Sequence, residues 1–195
     1  MQAPTLEGAH VRLEPLTLAH LPALEAIAFD PSIWRYMLAN IQTPADLRIW
    51  AESALATPNT LTWVTVKKSD DNTPDQLVGS TRFIDLDLTH RTTELGHTWL
   101  AASARDTLIN AEAKLLQLTF AFETLNLNRV ALKTHHENLQ SQNAMKALGA
   151  LYEGTFRNHY LMPDGTLRHS VWFSITREDW PTTKALLQRR LKLAP

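Results

Sequence analysis

Between Glu94 and His135 the chain reads strand, polar loop, apolar helix, strand, and that order constrains the fold more than any other stretch. Glu94-Leu-Gly-His-Thr-Trp-Leu100 is strand-like, and Arg105-Asp-Thr107 is a short polar break. An apolar stripe then recurs at Ala111, Leu115, Leu118, Phe122 and Leu125, in alternating steps of four and three. Leu108, Leu116 and Phe120 widen it, so this helix is expected to pack on a sheet over much of its circumference. Asn126-Leu-Asn128 ends the helix, and Arg129-Val-Ala-Leu-Lys-Thr-His135 is the next strand. Strands joined through a helix make a right-handed crossover and lie locally parallel. The polar turn before the helix presents backbone N–H groups at the positive end of a helix dipole, where a pyrophosphate can bind. Most such loops in α/β proteins bind nothing, so the feature is weak until other residues support it.

The remaining elements follow from the same periodicities. Residues 10 to 16 alternate as a first strand, with Val11 and Leu13 on one face. Thr17 is placed to cap a helix whose apolar stripe is Leu21, Leu24 and Ile27 or Ala28, ending at Asp30-Pro31. Thr43-Pro-Ala-Asp46 opens a second helix that runs to about Leu55. Leu61 to Lys67 and Leu77 to Leu88 read as strands around a turn from Ser69 to Pro74, with Thr92 to Leu100 completing an antiparallel meander. Asn138 caps a further helix ending at Gly149, and Leu151 to Met162 and Leu167 to Ile175 form a hairpin around Pro163-Asp-Gly-Thr166. After Asp179-Trp-Pro181 a last helix carries Leu186, Leu187 and Leu191, and its Lys184, Arg189, Arg190 and Lys192 read as solvated charge complementing the dipole.

A length of 195 residues fits one domain with a substantial core. The net charge of −1 provides no basic field, so neither nucleic acid nor an anionic membrane is an expected partner. The absence of cysteine removes disulfides, thiolate metal sites and a cysteine nucleophile. The opening Met-Gln-Ala-Pro-Thr has no basic segment leading into an apolar core, and no apolar run approaches a membrane span, so a cytoplasmic location is expected. The eight histidines include no HExxH, and the neighbours His135 and His136, on one strand, are expected to face opposite ways. No metal site is expected.

Several segments together resemble the GNAT superfamily of N-acetyltransferases, and within it the branch of the ribosomal-protein acetyltransferases RimJ and RimL. They are Glu94 to Leu100, Arg105-Asp-Thr-Leu-Ile-Asn110 with Ala111-Glu-Ala-Lys114, Asn126-Leu-Asn-Arg-Val130, Asn138-Leu-Gln-Ser141 and Leu148-Gly-Ala150. The resemblance implies an α/β (α+β) fold: a single domain over residues 1–195, ending in a helix at about 180–192. It implies a mixed, mostly antiparallel sheet of about seven strands flanked by helices and splayed between its fourth and fifth strands. The implied cofactor is acetyl-CoA. One departure stands out: the family loop has small residues where this chain has Leu108 and Asn110. Leu108 must turn into the core or lie across the site, yet leucine keeps its backbone N–H, so binding is expected to survive.

Site roles are carried over from the same resemblance. Arg105, Asp106, Thr107, Leu108, Ile109 and Asn110 would form the pyrophosphate loop, and Thr98, Trp99 and Leu100 would hydrogen-bond the pantetheine arm, helped by Asn138. An N–H near Trp99 or Leu100 would polarise the thioester carbonyl. An amine with pKa ~8 (α-amino) or ~10 (lysine) must lose a proton before it attacks. Glu94 is the first candidate to take that proton and His97 the second; the alternatives are that Glu94 pairs with an arginine such as Arg82 and that His97 only covers the sheet. Relatives place a tyrosine on the helix after Asn138 to protonate the thiolate, whereas this helix has Met145, so Ser141 is the substitute donor. Both Asn138 and Ser141 are also explained by helix capping alone.

The acceptor pocket of the family draws on the first helices and the closing hairpin, which here offer Trp34, Tyr36, Arg157, His159, Tyr160 and Arg168. Trp50 and Trp172 are read as core, and Asp85 with Asp87 as carboxylates that attract a cationic amine or are merely solvated. The leading reading is acetyl transfer to a peptide N-terminus or small-molecule amine, by a monomer or a homodimer. The alternatives are transfer of a larger acyl group such as succinyl, which calls for extra cationic residues, and a non-catalytic acyl-CoA-binding module.

Overall fold

Reading from the N-terminus, β1 (Leu6–Glu7) and β2 (Val11–Pro15) form a hairpin, followed by a 3₁₀ turn and the helices α1 (Leu21–Ala28), α2 (Pro31–Trp34) and α3 (Pro44–Ala56). The meander β3 (Leu61–Lys67), β4 (Gln76–Asp87) and β5 (Thr92–Leu100) leads into α4 (Ile109–Thr119), β6 (Arg129–His135) and α5 (Leu139–Ala147). The hairpin β7 (Leu151–Leu161) and β8 (Leu167–Thr176) precedes α6 (Trp180–Leu191). The computed structural model describes residues 1–69 and 74–192. Most of the turn expected from Ser69 to Pro74 therefore lies outside the described residues.

Among the described residues the sheet order is β1-β2-β3-β4-β5-β6-β8-β7, eight strands instead of about seven, with one parallel pair, β5 with β6. The additional strand is β1, two residues long and too short to produce a period. Alternation assigns the faces. On β3, Trp63 points into a core shared with α4 and α6, while Val64 and Val66 point into a second core under α1 and α3. Each large side chain withdrawn from water in these layers contributes about 1.5–3 kcal/mol. The layer of α1 to α3 rests on β3, β4 and β5, and α4 with α6 cover the opposite face.

Caps define the helix starts. Thr43 Oγ1 accepts from the N–H of Asp46 at 3.2 Å, and Asp46 in turn accepts from the N–H of Thr43 at 2.9 Å. Asp30-Pro31, expected to end a helix, also begins one, since Asp30 accepts from the N–H of Ser32 at 2.9 Å. Helix α4 departs from its expected stripe. Glu112, Lys114 and Gln117 are buried, whereas Leu115 and Leu116 are only half-buried. The polar residues face inward because they have partners there. Glu112 accepts from the backbone N–H of Ala9 at 2.6 Å and His10 at 3.0 Å, and Lys114 donates to Thr98 Oγ1 at 2.8 Å. On α6, Lys184 is paired with Glu123 at 2.7 Å, while Arg189 and Arg190 are exposed. Among the described residues no helix is long and apolar enough to cross a membrane.

Candidate active site

Strands β5 and β6 are paired only through Thr92, Thr93 and Glu94, opposite Arg129, Val130 and Ala131. Beyond Glu94, β5 follows β4, with Gly96 opposite Arg82, Trp99 opposite Ser80 and Leu100 opposite Gly79. From Leu132 onward β6 follows β8. A wedge therefore opens between the two parallel strands, and the edge of β5 from Leu95 to Leu100 has no strand partner on that side among the described residues. Tight packing on the other side holds β5 away: a Cβ at Gly79 would meet Trp99 O at 2.1 Å, so only glycine allows the approach. A bulge at the register shift between Ser80 and Arg82 puts His97 at φ +46° and adds bend to the strand.

The loop at the narrow end of α4 is rich in free donors. Among the described residues, the backbone N–H groups of Asp106, Thr107, Leu108, Asn110 and Ala111 have no acceptor, while that of Ile109 is bonded to Thr107 Oγ1 at 3.2 Å. Five N–H groups at a helix N-terminus suit a pyrophosphate, and the unpaired β5 edge suits the amides of a pantetheine, so the residues present fit coenzyme A. Leu108 is 41% exposed; it neither turns into the core nor removes a donor. Arg105 is committed to the protein, donating to Leu100 O at 3.0 Å and Ser32 Oγ at 2.8 Å and pairing with Asp30 at 3.2 Å. Its role is to fasten the loop to α2. Helix α5 borders the wedge and buries none of its residues. Asn138 Oδ1 accepts from the N–H of Ser141 at 3.1 Å, so capping occupies that oxygen, and the Ser141 hydroxyl has no partner among the described residues.

Glu94 sits at the apex of the wedge, only 7% exposed. Its Oε2 accepts from Lys133 Nζ at 2.7 Å, which replaces the pairing with Arg82 that the sequence suggests. Burial pushes the Glu94 carboxyl above the ordinary carboxylate range, with Lys133 pulling the other way. Glu94 Oε1 accepts no hydrogen bond among the described residues, and it lies against Gly96, where a Cβ would come within 2.8 Å of it. His97 is pushed down to about 4 by burial and by the cations Arg82, Lys133 and Arg168, so its ring is neutral near pH 7. Lys133 also donates to Tyr160 Oη at 3.3 Å and lies 4.9 Å from the centroid of Trp172. Arg168 is buried, donates to Ser170 Oγ and to Tyr36 O at 3.1 Å each, and ties the α2–α3 connection to β8.

The residues expected to receive the acceptor divide accordingly. Tyr160, His159 and Tyr36 line the open face over β6 and β8: the His159 and Tyr160 rings lie 3.9 Å apart, tilted by 37°, and Tyr36 lies 5.3 Å from His135. Trp34 does not belong with them. It is 3% exposed, packed 5.4 Å from Trp99 and bonded to Ala28 O at 2.7 Å, which makes it core. Arg157 is exposed and unpaired among the described residues, and Asp85 is exposed but close enough to act on the charge of Glu94. Asp87 caps the turn after β4 through the N–H groups of Thr89 and His90 at 2.8 Å each. Trp172, expected in the core, is half-buried on the acceptor face. The expected opposition of His135 and His136 is also overturned: β6 ends at His135, the chain turns, and the two rings stack at 4.4 Å. Lys133 escaped the sequence reading, although alternation identifies it. It lies two residues beyond Ala131, the partner of Glu94, and so on the same face.

Comparison with known proteins places this geometry. Residues 10–151 match the family described as the acetyltransferase (GNAT) domain. A curated relative in Bacillus subtilis (strain 168), named Putative ribosomal N-acetyltransferase YdaF, is 32% identical over 108 residues, which span 55% of this chain and 58% of that protein. The crystal structure of a putative acetyltransferase from T. thermophilus superposes with a TM-score of 0.86 at 38% identity, covering 96% of each chain. A GCN5-related N-acetyltransferase from Brucella melitensis gives a TM-score of 0.88 at 25% identity, over 98% of this chain and 86% of that one.

Proposed function

The chain belongs to the GNAT acetyltransferase family, and from that membership we propose that it moves the acetyl group of acetyl-CoA directly onto a primary amine. The observation that carries the proposal is the position of Glu94 at the last paired step of β5, where the two parallel strands part. A buried carboxylate at the head of a cofactor-shaped wedge is where a proton acceptor is needed. The relative named as a ribosomal N-acetyltransferase supports the RimJ/RimL-like branch, and with it a peptide N-terminus as one acceptor to test.

Acetyl-CoA supplies the activated acyl group. The bare N–H groups of Asp106, Thr107, Leu108, Asn110 and Ala111 hold the pyrophosphate, and the β5 edge around Thr98 to Leu100 holds the pantetheine amides. Glu94 Oε1 takes the proton of the attacking amine, while Lys133 fixes the carboxylate through Oε2. His97 is the weaker candidate, because a group held down to about 4 is a poor proton acceptor near neutral pH. Ser141 offers a hydroxyl to the leaving sulfur. The aromatic floor of Tyr160 and Trp172 keeps the acceptor against the sheet.

The test is a turnover screen with acetyl-CoA, read by release of free thiol, against peptide N-termini, polyamines, amino acids and aminoglycosides. Thiol release matched by acetylated amine is the expected result. A melting temperature unmoved by millimolar acetyl-CoA would overturn the proposal, since a ligand at a hundredfold excess over its Kd stabilises the native state by about 2.7 kcal/mol.

A further inference from the structure

Six of the eleven buried side-chain nitrogen and oxygen atoms that lack a partner among the described residues lie on the α1–α3 side of the sheet. They are Trp50 Nε1, Thr62 Oγ1, Arg82 Nε and Nη2, His97 Nδ1 and Trp99 Nε1. Pairings and stacking make them neighbours. Thr62 and Gly96 are the strand partners of Arg82 on either side, and His97 follows Gly96. The Arg82 Cζ lies 4.6 Å from the centroid of Trp50, whose ring is 6.0 Å from that of Trp99. Four of the six atoms are obligate donors, two indole N–H groups and two guanidinium nitrogens. Arg82 is 7% exposed and makes no hydrogen bond or ion pair among the described residues, and Glu94, on the neighbouring strand, is paired with Lys133.

Burying a guanidinium without an anion is costly, and stacking on Trp50 returns only part of that cost. Water satisfies donors but leaves the charge of the buried guanidinium uncompensated. The chemistry that fits is an anionic oxygen acceptor with two lone-pair-bearing atoms. A carboxylate meets a guanidinium fork in that way. The location is productive, because Gly96, the strand partner of Arg82, lies against the Glu94 carboxylate.

We propose that Arg82, framed by the indole N–H groups of Trp50 and Trp99, is a receptor for a carboxylate carried by one of the two substrates. It sits either at the far end of the acyl chain, as in succinyl-CoA, or on the acceptor amine, as in a free amino acid. The inference rests on the acyl-transfer reading and narrows its substrate class. The bond changes are those of that reading: N–C forms, C–S breaks, and the proton lost by the amine reaches the thiol through Glu94 and solvent.

Two arms of one experiment with the full chain separate the sources. The first compares succinyl-CoA with acetyl-CoA using benzylamine, which has no carboxylate. The second compares amino acids with their carboxamides using acetyl-CoA. The expected result is a carboxylate preference in kcat/KM of about 10- to 100-fold in one arm. Arg82→Gln removes that preference, and Trp50→Phe, which keeps the ring but not the N–H, weakens it. Equal kcat/KM in both arms means that the donors hold water only and overturns the proposal, as does a preference that survives Arg82→Gln. Should Arg82→Gln fail to fold, an undiminished preference in Trp50→Phe overturns it instead. Melting in millimolar succinate reads the receptor without acyl-CoA. A rise that Arg82→Gln or Trp50→Phe reduces supports the receptor even where turnover is absent, a result that counts against acyl transfer alone. Where turnover is absent, no rise in succinate overturns it.

Discussion

Glu94 has one oxygen tied and one open, and that asymmetry sets what its replacement will do. Glu94→Gln keeps the size and a hydrogen-bonding oxygen but removes the basic carboxylate, so turnover is expected to fall by roughly 10²- to 10⁴-fold with acetyl-CoA affinity nearly unchanged. Steady-state rates beside a binding titration check both halves. Because burial raises the Glu94 pKa, kcat/KM should rise with pH through a value above the ordinary carboxylate range, and Glu94→Gln should lose that limb. A rising limb that persists in the variant would transfer it to another group, such as the amine itself. At this scale the motif around Glu94 to Leu100 made Glu94 legible in the sequence, but not its partner. Lys133 is 39 residues away, and only the strand register brings it to 2.7 Å. Arg82 was visible as a residue, yet its lack of an anion emerges only after α3 lays Trp50 over it.

Helix α4 combines two properties that periodicity alone does not separate, an exposed leucine at its start and a buried lysine in its middle. Leu108 is 41% exposed, so Leu108→Gly removes little packing, costs about 1 kcal/mol or less in helix preference, and leaves every N–H of the cradle in place. Calorimetric titration should give an acetyl-CoA affinity that is unchanged or tighter, and a folded variant that binds more weakly would contradict a cradle made of backbone donors. Lys114 has Thr81, Thr98 and Gln117 as hydrogen-bond partners and no carboxylate among the described residues, and burial holds it down to about 7. A lysine depressed in the fold binds fewer protons there than in the unfolded chain, where it keeps its proton up to its ordinary 10.5. Native stability should therefore rise as pH climbs from 7 to 9, by about 2 kcal/mol for this group. The window is clean, because His97 titrates well below it and Arg82, held to about 10, above it. Urea unfolding at the two ends should show the rise in the native sequence and its absence in Lys114→Met. The stripe from Ala111 to Leu125 correctly located the helix but not its buried polar side, since Glu112 and Lys114 turn inward for partners on β5 and the first hairpin, contacts that no helical period encodes.

At the scale of the molecule, the order of elements was legible because strands and helices carry periods of two and about 3.6 and because turns carry Gly, Pro and Asn. The wedge was legible only by resemblance. Parting of β5 from β6 depends on Gly79 admitting β5 against β4 and on a bulge at His97, and nothing in local propensity announces either. Among the described residues the fold thus leaves backbone groups of β5 from Leu95 to Leu100 without a strand partner on the β6 side, between strands that are paired up to Glu94. Such groups exchange their hydrogens readily until something covers them. Amide exchange with and without coenzyme A should then change in two places, along β5 from Leu95 to Leu100 and around the loop from Asp106 to Ala111. The covered strands β2, β3 and β4 should stay as they are, since their hydrogen bonds do not depend on the ligand. Protection confined to the loop would mean that the pyrophosphate is held while the pantetheine lies outside the wedge, which would leave Glu94 too far from the thioester to take the proton assigned to it. Protection spread evenly over the sheet would signal general stabilisation and would not identify the wedge as the cofactor's seat. Only the paired response, loop and β5 edge together, places the acyl group beside the carboxylate.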